Sequence, residues 1–159
     1  MEVVQLTKAT YNQWDNFILQ SPQYNLFAHT WYLNALEIKF EIYTVQVKKE
    51  IVGGIILPKD KWNYYINPIF GKYLGIFYGN FEGNNYAIES RKRKVQKALL
   101  PILKKLPSFE YTFHPAFNNW LQLYNIGFKQ TTSYTYLINL NNQTEEDILN
   151  GMSPRLRNK

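Results

Sequence analysis

The densest run of chargeable side chains lies between residues 91 and 105, where Arg91, Lys92, Arg93, Lys94, Lys97, Lys104 and Lys105 occur with no acidic residue among them. They follow a glycine- and asparagine-rich stretch, Gly79-Asn80 and Gly83-Asn84-Asn85, which follows the strand formers Leu74, Ile76, Phe77 and Tyr78. A strand that enters a helix through such a turn can bind anions, because N–H groups at the helix start have no intrahelical partner. Ile88, Val95, Leu99, Ile102, Leu103 and Leu106 recur at helical steps and define one apolar face. Arg91, Arg93, Lys94 and Lys97 are therefore candidate anion ligands, weighed against the plainer reading of a solvated outer face. No P-loop or dinucleotide-binding glycine motif heads the helix. Pro101 predicts a kink or break near Leu100, with Ile102 to Leu106 as a final turn, since a proline inside a helix costs roughly 3 kcal/mol.

Other reactive side chains are sparse. His29 and His114 have no ligand spacing with cysteine or carboxylates, so no metal site is expected. Glu110 and His114 share a face of a predicted strand but stand roughly 13 Å apart at ~3.3 Å per residue, too far for a dyad. No serine has a histidine at a suggestive spacing. Trp62, Tyr64 and Tyr65 crowd a polar loop and are placed to line a groove. His29, Tyr32, Trp62, Tyr65 and Tyr78 form the candidate substrate-binding set. Aromatic rings beside a basic stripe also suit single-stranded RNA, although no RNP-like motif is present.

Several elements must position these groups. Val3, Val4 and Leu6 predict a first strand. Thr10 is placed to cap a helix from Tyr11 to Gln20 with Trp14, Phe17 and Ile18 buried, stopped by Ser21-Pro22. A second helix is expected from about His29 to Glu37, burying Trp31, Leu33 or Tyr32, and Leu36. Phe40 to Lys48 alternates, and Lys49-Glu50 reads as a hairpin turn into Ile51 to Leu57. Phe109 to Phe113 predicts a strand ended by Pro115. Asn118 or Asn119 is placed to cap a short helix through Trp120, Leu121 and Tyr124, closed by Gly127. Phe128 to Leu140 reads as a strand or hairpin arm, and Thr144-Glu145-Glu146-Asp147 as a helix start.

Composition sets the remaining bounds. At 159 residues the chain can bury a core of its own. Thirteen tyrosines and ten phenylalanines favour a sheet-rich core or a ligand groove. The formal net charge of +6 is carried by the 91–105 helix, and a pI near 9.4 admits nucleic acid, a membrane surface or acidic metabolites as partners, with weak polyanion binding, and does not choose among them. The lack of cysteine excludes disulfides and thiolate metal sites and suits a reducing compartment. With no apolar run long enough to cross a bilayer and no signal-like amino terminus, a cytoplasmic protein is expected.

The resulting order is strand, two helices, three strands, a long helix, strand, helix, strand: an α+β arrangement with a mostly antiparallel sheet flanked by helices. That order resembles the GNAT acyltransferase fold. More specifically, WDNFILQSPQYNLFAHTWYL, NPIFGKYLGIFYGNFEG, WLQLYNIGFKQTTSYTYLINL and MSPRLRNK resemble the amino-terminal half of FemAB-type proteins, which pair two GNAT-like domains. The resemblance implies a single GNAT-like domain over 1–159, the first half of a longer protein. It implies an acyl- or aminoacyl-transferase relationship in which a second domain holds much of the site, with acetyl-CoA or aminoacyl-tRNA as the family's donors. Active GNAT enzymes hold the acetyl-CoA pyrophosphate on loop amides between the fourth strand and the long helix. Here that loop reads Tyr78-Gly79-Asn80-Phe81-Glu82-Gly83-Asn84-Asn85, with mis-spaced glycines and an anion-repelling Glu82. No cofactor is therefore expected on this chain, and its role is to shape the substrate side. Polyanion binding by the basic helix and a purely structural, homodimerising half are the alternatives.

Overall fold

Apolar residues on both faces of one antiparallel sheet organise the chain. The computed structural model describes residues 1–134 and 141–157. They belong to two compact units, Met1–Phe128 and Lys129–Lys159. In the first, β1 (Glu2–Gln5), β2 (Lys39–Val47), β3 (Glu50–Lys59) and β4 (Gly75–Tyr78) form a four-stranded sheet in sequence order, every pair antiparallel. The β2–β3 turn is Lys48-Lys49, both left-handed at φ 51° and 70°, one residue earlier than Lys49-Glu50. Glu50 pairs with Val47, and the register shifts at a bulge between Val45 and Gln46.

Each sheet face has its own core. Ile42, Ile56 and Phe77 pack with Trp14, Phe17 and Ile18 of α1 (Tyr11–Gln20) and Leu33 of α2 (Thr30–Ala35). Val45, Ile55, Ile76 and Tyr78 pack with Val95, Leu99 and Leu103 of α3 (Asn85–Leu103). Burial on both sides explains why β3 is apolar along most of its length and does not alternate. Two adjacent glycines in β3 let the helices approach. A Cβ on Gly53 would lie 2.6 Å from Val95 Cγ1, and one on Gly54 2.7 Å from Trp14 Cζ3.

α1 has the expected bounds and buried face, and Ser21 ends it in extended backbone before Pro22. Thr10 does not cap it through its side chain: its hydroxyl donates to Thr7 O at 3.0 Å and accepts from Thr7 N at 3.1 Å, closing the 3-10 turn Lys8–Thr10. α2 is shorter than expected and buries Leu33, whereas Trp31 is 55% exposed, because a six-residue helix can turn only one narrow stripe inward. α3 continues through Pro101 to Leu103, so Ile102 and Leu103 belong to it. So near the helix end, proline removes a single bond, the one that Lys97 O would accept.

The segment Phe109 to Phe113 alternates as predicted but does not form a regular strand. Glu110 bridges Ile66 in parallel, with Glu110 N donating to Tyr65 O at 3.0 Å and Asn67 N to Glu110 O at 3.2 Å, and Leu74 N donates to Thr112 O at 3.0 Å. Phe109, Tyr111 and Phe113 turn into the α3-side core without a ladder, because β4 is four residues long and much of its free edge is taken by side chains. α4 (Leu121–Tyr124) ends at Gly127, φ 95°, and its cap is Trp120 rather than Asn118 or Asn119, although Asn119 Oδ1 accepts from Leu121 N at 3.4 Å.

In the second unit α5 (Glu145–Gly151) begins with a reciprocal Thr144–Asp147 capping box, and α6 spans Pro154–Arg157. Residues 129–134 carry no regular structure, and positions 135–140 of the expected strand lie outside the described residues. Among the described residues no helix is long and apolar enough to cross a membrane.

Candidate functional site

Tyr78, the last residue of β4, is held more closely than any other candidate. Its backbone N–H donates to Gln23 Oε1 at 2.8 Å, Gln23 Nε2 donates to Ile76 O at 3.0 Å, and Ser21 Oγ donates to Tyr78 O at 2.8 Å. These groups face away from β3, so the buried Gln23 carboxamide pairs with the sheet edge as the peptide group of a fifth strand would. On the α3 side, Gln96 Nε2 donates to Tyr78 Oη at 2.7 Å, and Phe117 stacks on the ring at 5.9 Å with planes 4° apart. Burial pushes the Tyr78 hydroxyl well above the ordinary phenol range, so it stays protonated and available as a donor. Gln96 Nε2 also donates to Asn119 O at 2.7 Å. A carbonyl can only accept, which fixes the amide orientation and leaves Gln96 Oε1 buried without a partner.

Beside this pair opens a cleft of about 700 Å³ lined by Asn85, Ile88, Glu89, Lys92, Asn118 and Asn119. Lys92 Nζ lies 2.9 Å from Glu89 Oε1, and this hydrogen bond, with a weaker one from Asn119, lowers the Glu89 carboxyl below its ordinary value. The walls thus carry one cancelled ion pair and three carboxamides.

The β4–α3 junction shows whether a nucleotide pyrophosphate would fit. Asn84 Oδ1 accepts from Ala87 N at 2.9 Å, capping one of the amides at the helix start. Arg91 Nη1 donates to Glu82 O at 2.9 Å and Arg91 Cζ lies 6.0 Å from the Phe81 ring centre, so the cation nearest the turn braces the loop. With an Asn side chain on the helix amide and the Glu82 carboxylate in the same turn, the residues present do not fit an anion cradle for acetyl-CoA.

The remaining candidates lie apart. His29 is buried, its Nδ1 3.3 Å from Asp15 Oδ1 without a hydrogen bond, with Trp31 and Tyr24 against its ring, each at 5.8 Å. Asp15 itself accepts from Thr30 N at 2.8 Å and Thr30 Oγ1 at 2.5 Å, tying α1 to α2. Tyr32 Oη donates to Phe70 O at 2.8 Å, on the same side of the fold. Tyr65 is buried and joins Tyr43 in donating to Glu41 Oε2, at 3.3 and 3.1 Å, while Lys59 Nζ meets Glu41 Oε1 at 2.6 Å. Trp62 and Tyr64 are exposed on a turn organised by Asp60, so these loop aromatics do not line one groove with Tyr65. Of the basic residues, Lys94 and Lys97 are exposed, Arg93 is half-buried and Arg91 is engaged. No trio of metal-ligating side chains is found among the described residues. Ser21, Gln23, Gln96 and Asn119 were not legible as site residues. Gln96 carried one signal, its place on the apolar stripe three residues before Leu99.

No protein-family model and no curated protein matches the chain. Among solved structures, a ribosomal-protein-alanine N-acetyltransferase from Brucella melitensis biovar Abortus 2308 is similar with a TM-score of 0.42 and 10% identity, over 88% of this chain and 100% of that one. A probable acetyltransferase is similar with a TM-score of 0.45 and 13% identity, over 90% of this chain and 100% of that one.

Proposed function

We propose that this chain is a GNAT-like, FemAB-type domain related to acyl- or aminoacyl-transferases, which shapes the acceptor side of a transfer site and does not carry the acyl donor. The element order supports this reading: β1, two helices, an antiparallel run of three strands, then a long helix, as in the fold that the sequence resembles. The observation that carries it is the β4–α3 junction. A strand, turn and long helix remain in place, but the turn is braced by Asn84 and Arg91 and the β4 edge is closed by Gln23.

In this reading a second GNAT-like domain, or a second copy of the chain, supplies what the junction lacks. Trp31, Ile69 and Phe70 expose apolar surface that suits such a contact. The test is turnover. The purified chain, given acetyl-CoA and a panel of amine and hydroxyl acceptors, is expected to release no free thiol above the spontaneous rate. Saturable release that depends on Tyr78 would overturn the proposal.

A further inference from the structure

We propose that the face formed by Tyr24, Leu26, Trp31, Ile69 and Phe70 docks a second copy of this chain across a two-fold axis. The inference rests on the reading above in its need for a partner, and it names the partner which that reading left open. All five side chains are exposed. Tyr24 and Trp31 flank His29, Trp31 lies edge-on to Tyr32 at 6.1 Å, and Tyr32 Oη holds Phe70 O at 2.8 Å. Ile69 and Phe70 form the tip of turn 68–71, 92% and 69% exposed. The turn is nevertheless fixed: Gly71 N donates to Pro68 O at 2.9 Å, and Asn67 Nδ2 donates to Gly71 O at 3.1 Å. Apolar side chains presented on a braced turn lose little freedom when covered, which favours binding.

Charge decides what covers this face. Charged residues make up 19% of the chain, yet residues 16–36 hold no Asp, Glu, Lys or Arg, and residues 68–71 hold none either. A nucleic acid or an anionic membrane would need a basic surface. Aromatic enrichment with charge depletion is instead the composition of the core of a protein–protein interface. In a two-fold contact each group near the axis meets its own copy, so a charged face repels itself. With +6 on each chain, a neutral face is where two copies approach at least electrostatic cost. An aromatic side chain carries about 150–250 Å², so the exposed parts of the five amount to roughly 600 Å² per copy. That is close to the ~800 Å² which each partner buries in a standard interface, and it suits a dimer of micromolar affinity.

The test is sedimentation equilibrium of the full chain over a concentration series. A reversible dimer, twice the 18.9 kDa chain, is expected with a micromolar Kd. Ile69→Lys alters a side chain that already stands in water, and it is expected to raise that Kd at least about tenfold without moving the thermal melt. Lys97→Gln, on α3, is expected not to weaken the dimer. Added salt should strengthen it or leave it unchanged, because salt screens the repulsion between two basic chains. Hydrogen exchange gives a readout that needs no variant: the amides of Trp31, Ile69 and Phe70 are expected to gain protection on concentration. A monomer throughout the series, a dimer indifferent to Ile69→Lys, a dimer weakened by salt, or protection gained only elsewhere would overturn the proposal. Thiol release from acetyl-CoA by the same sample separates the two readings. A monomer that releases none removes only the second copy, whereas release removes the reading beneath it.

Discussion

Replacing Gln23 by leucine isolates the contact that closes the β4 edge. The two side chains are similar in size, so little packing is lost, but Ile76 O and Tyr78 N each lose their partner. Gln23 is only 1% exposed, so water does not replace it without local opening. A buried polar group left unpaired costs about 1–3 kcal/mol, so the pair is worth about 2–6 kcal/mol, with about 4 as the working figure. For a chain of this size that corresponds to a fall in Tm of roughly 10 °C. Ser21→Ala removes two bonds, the one it donates to Tyr78 O and the one it accepts from Gln23 N, and is expected to cost about 1–3 kcal/mol. The assay is a thermal melt followed by circular dichroism, paired with hydrogen exchange at the Tyr78 amide. Loss of protection at that amide should accompany the drop in Tm. A Gln23→Leu variant with an unchanged melt and a still-protected Tyr78 amide would refute the claim that the carboxamide acts as the missing strand.

Three further expectations follow from other parts of the fold. Gly54→Ala puts a methyl group 2.7 Å from Trp14 and should destabilise by about 1–3 kcal/mol in a urea melt, whereas Gly151→Ala, in open space, should not. Burial, then Glu41, raises the Tyr43 hydroxyl from 10.0 to about 12 in the folded chain. Between those values the unfolded chain binds fewer protons, so this contribution is intact below about pH 10 and lost as pH rises toward about 12; Tyr43→Phe should blunt that alkaline decline. Finally, RNA binding should be weak and steeply salt-dependent. Converting Arg93, Lys94 and Lys97 to glutamine should flatten the log–log slope by about 0.7–0.9 per charge, and submicromolar affinity at physiological salt lost in the variant would instead favour the polyanion module.

Legibility followed locality. The limits of α1 could be read because Ser21-Pro22 forces extended backbone whatever the fold does around it. The hairpin was offset by one residue because Lys48 and Lys49 adopt left-handed conformations that their side chains do not advertise. Phe109 to Phe113 has the right alternation for a strand, but a ladder needs a free partner edge, and Gln23 and Ser21 occupy the one at Ile76 and Tyr78. Trp31 was expected in the core from its helical position, yet the short helix buries only Thr30 and Leu33. At the candidate site Tyr78 was in view as the end of an aromatic strand. Gln96 was hidden among lysines, and Gln23 lay in a loop 55 residues from the backbone N–H it binds, a separation no local pattern encodes.

The most direct test of the account is calorimetric titration of the intact chain with acetyl-CoA. With Asn84 on the helix amide, Arg91 holding the turn and Glu82 in the loop, no saturable heat is expected in the micromolar range, and the parent and a Glu82→Gln variant should behave alike. A micromolar Kd in the parent would contradict the account: the junction would be an open cradle, and the chain would carry its own donor.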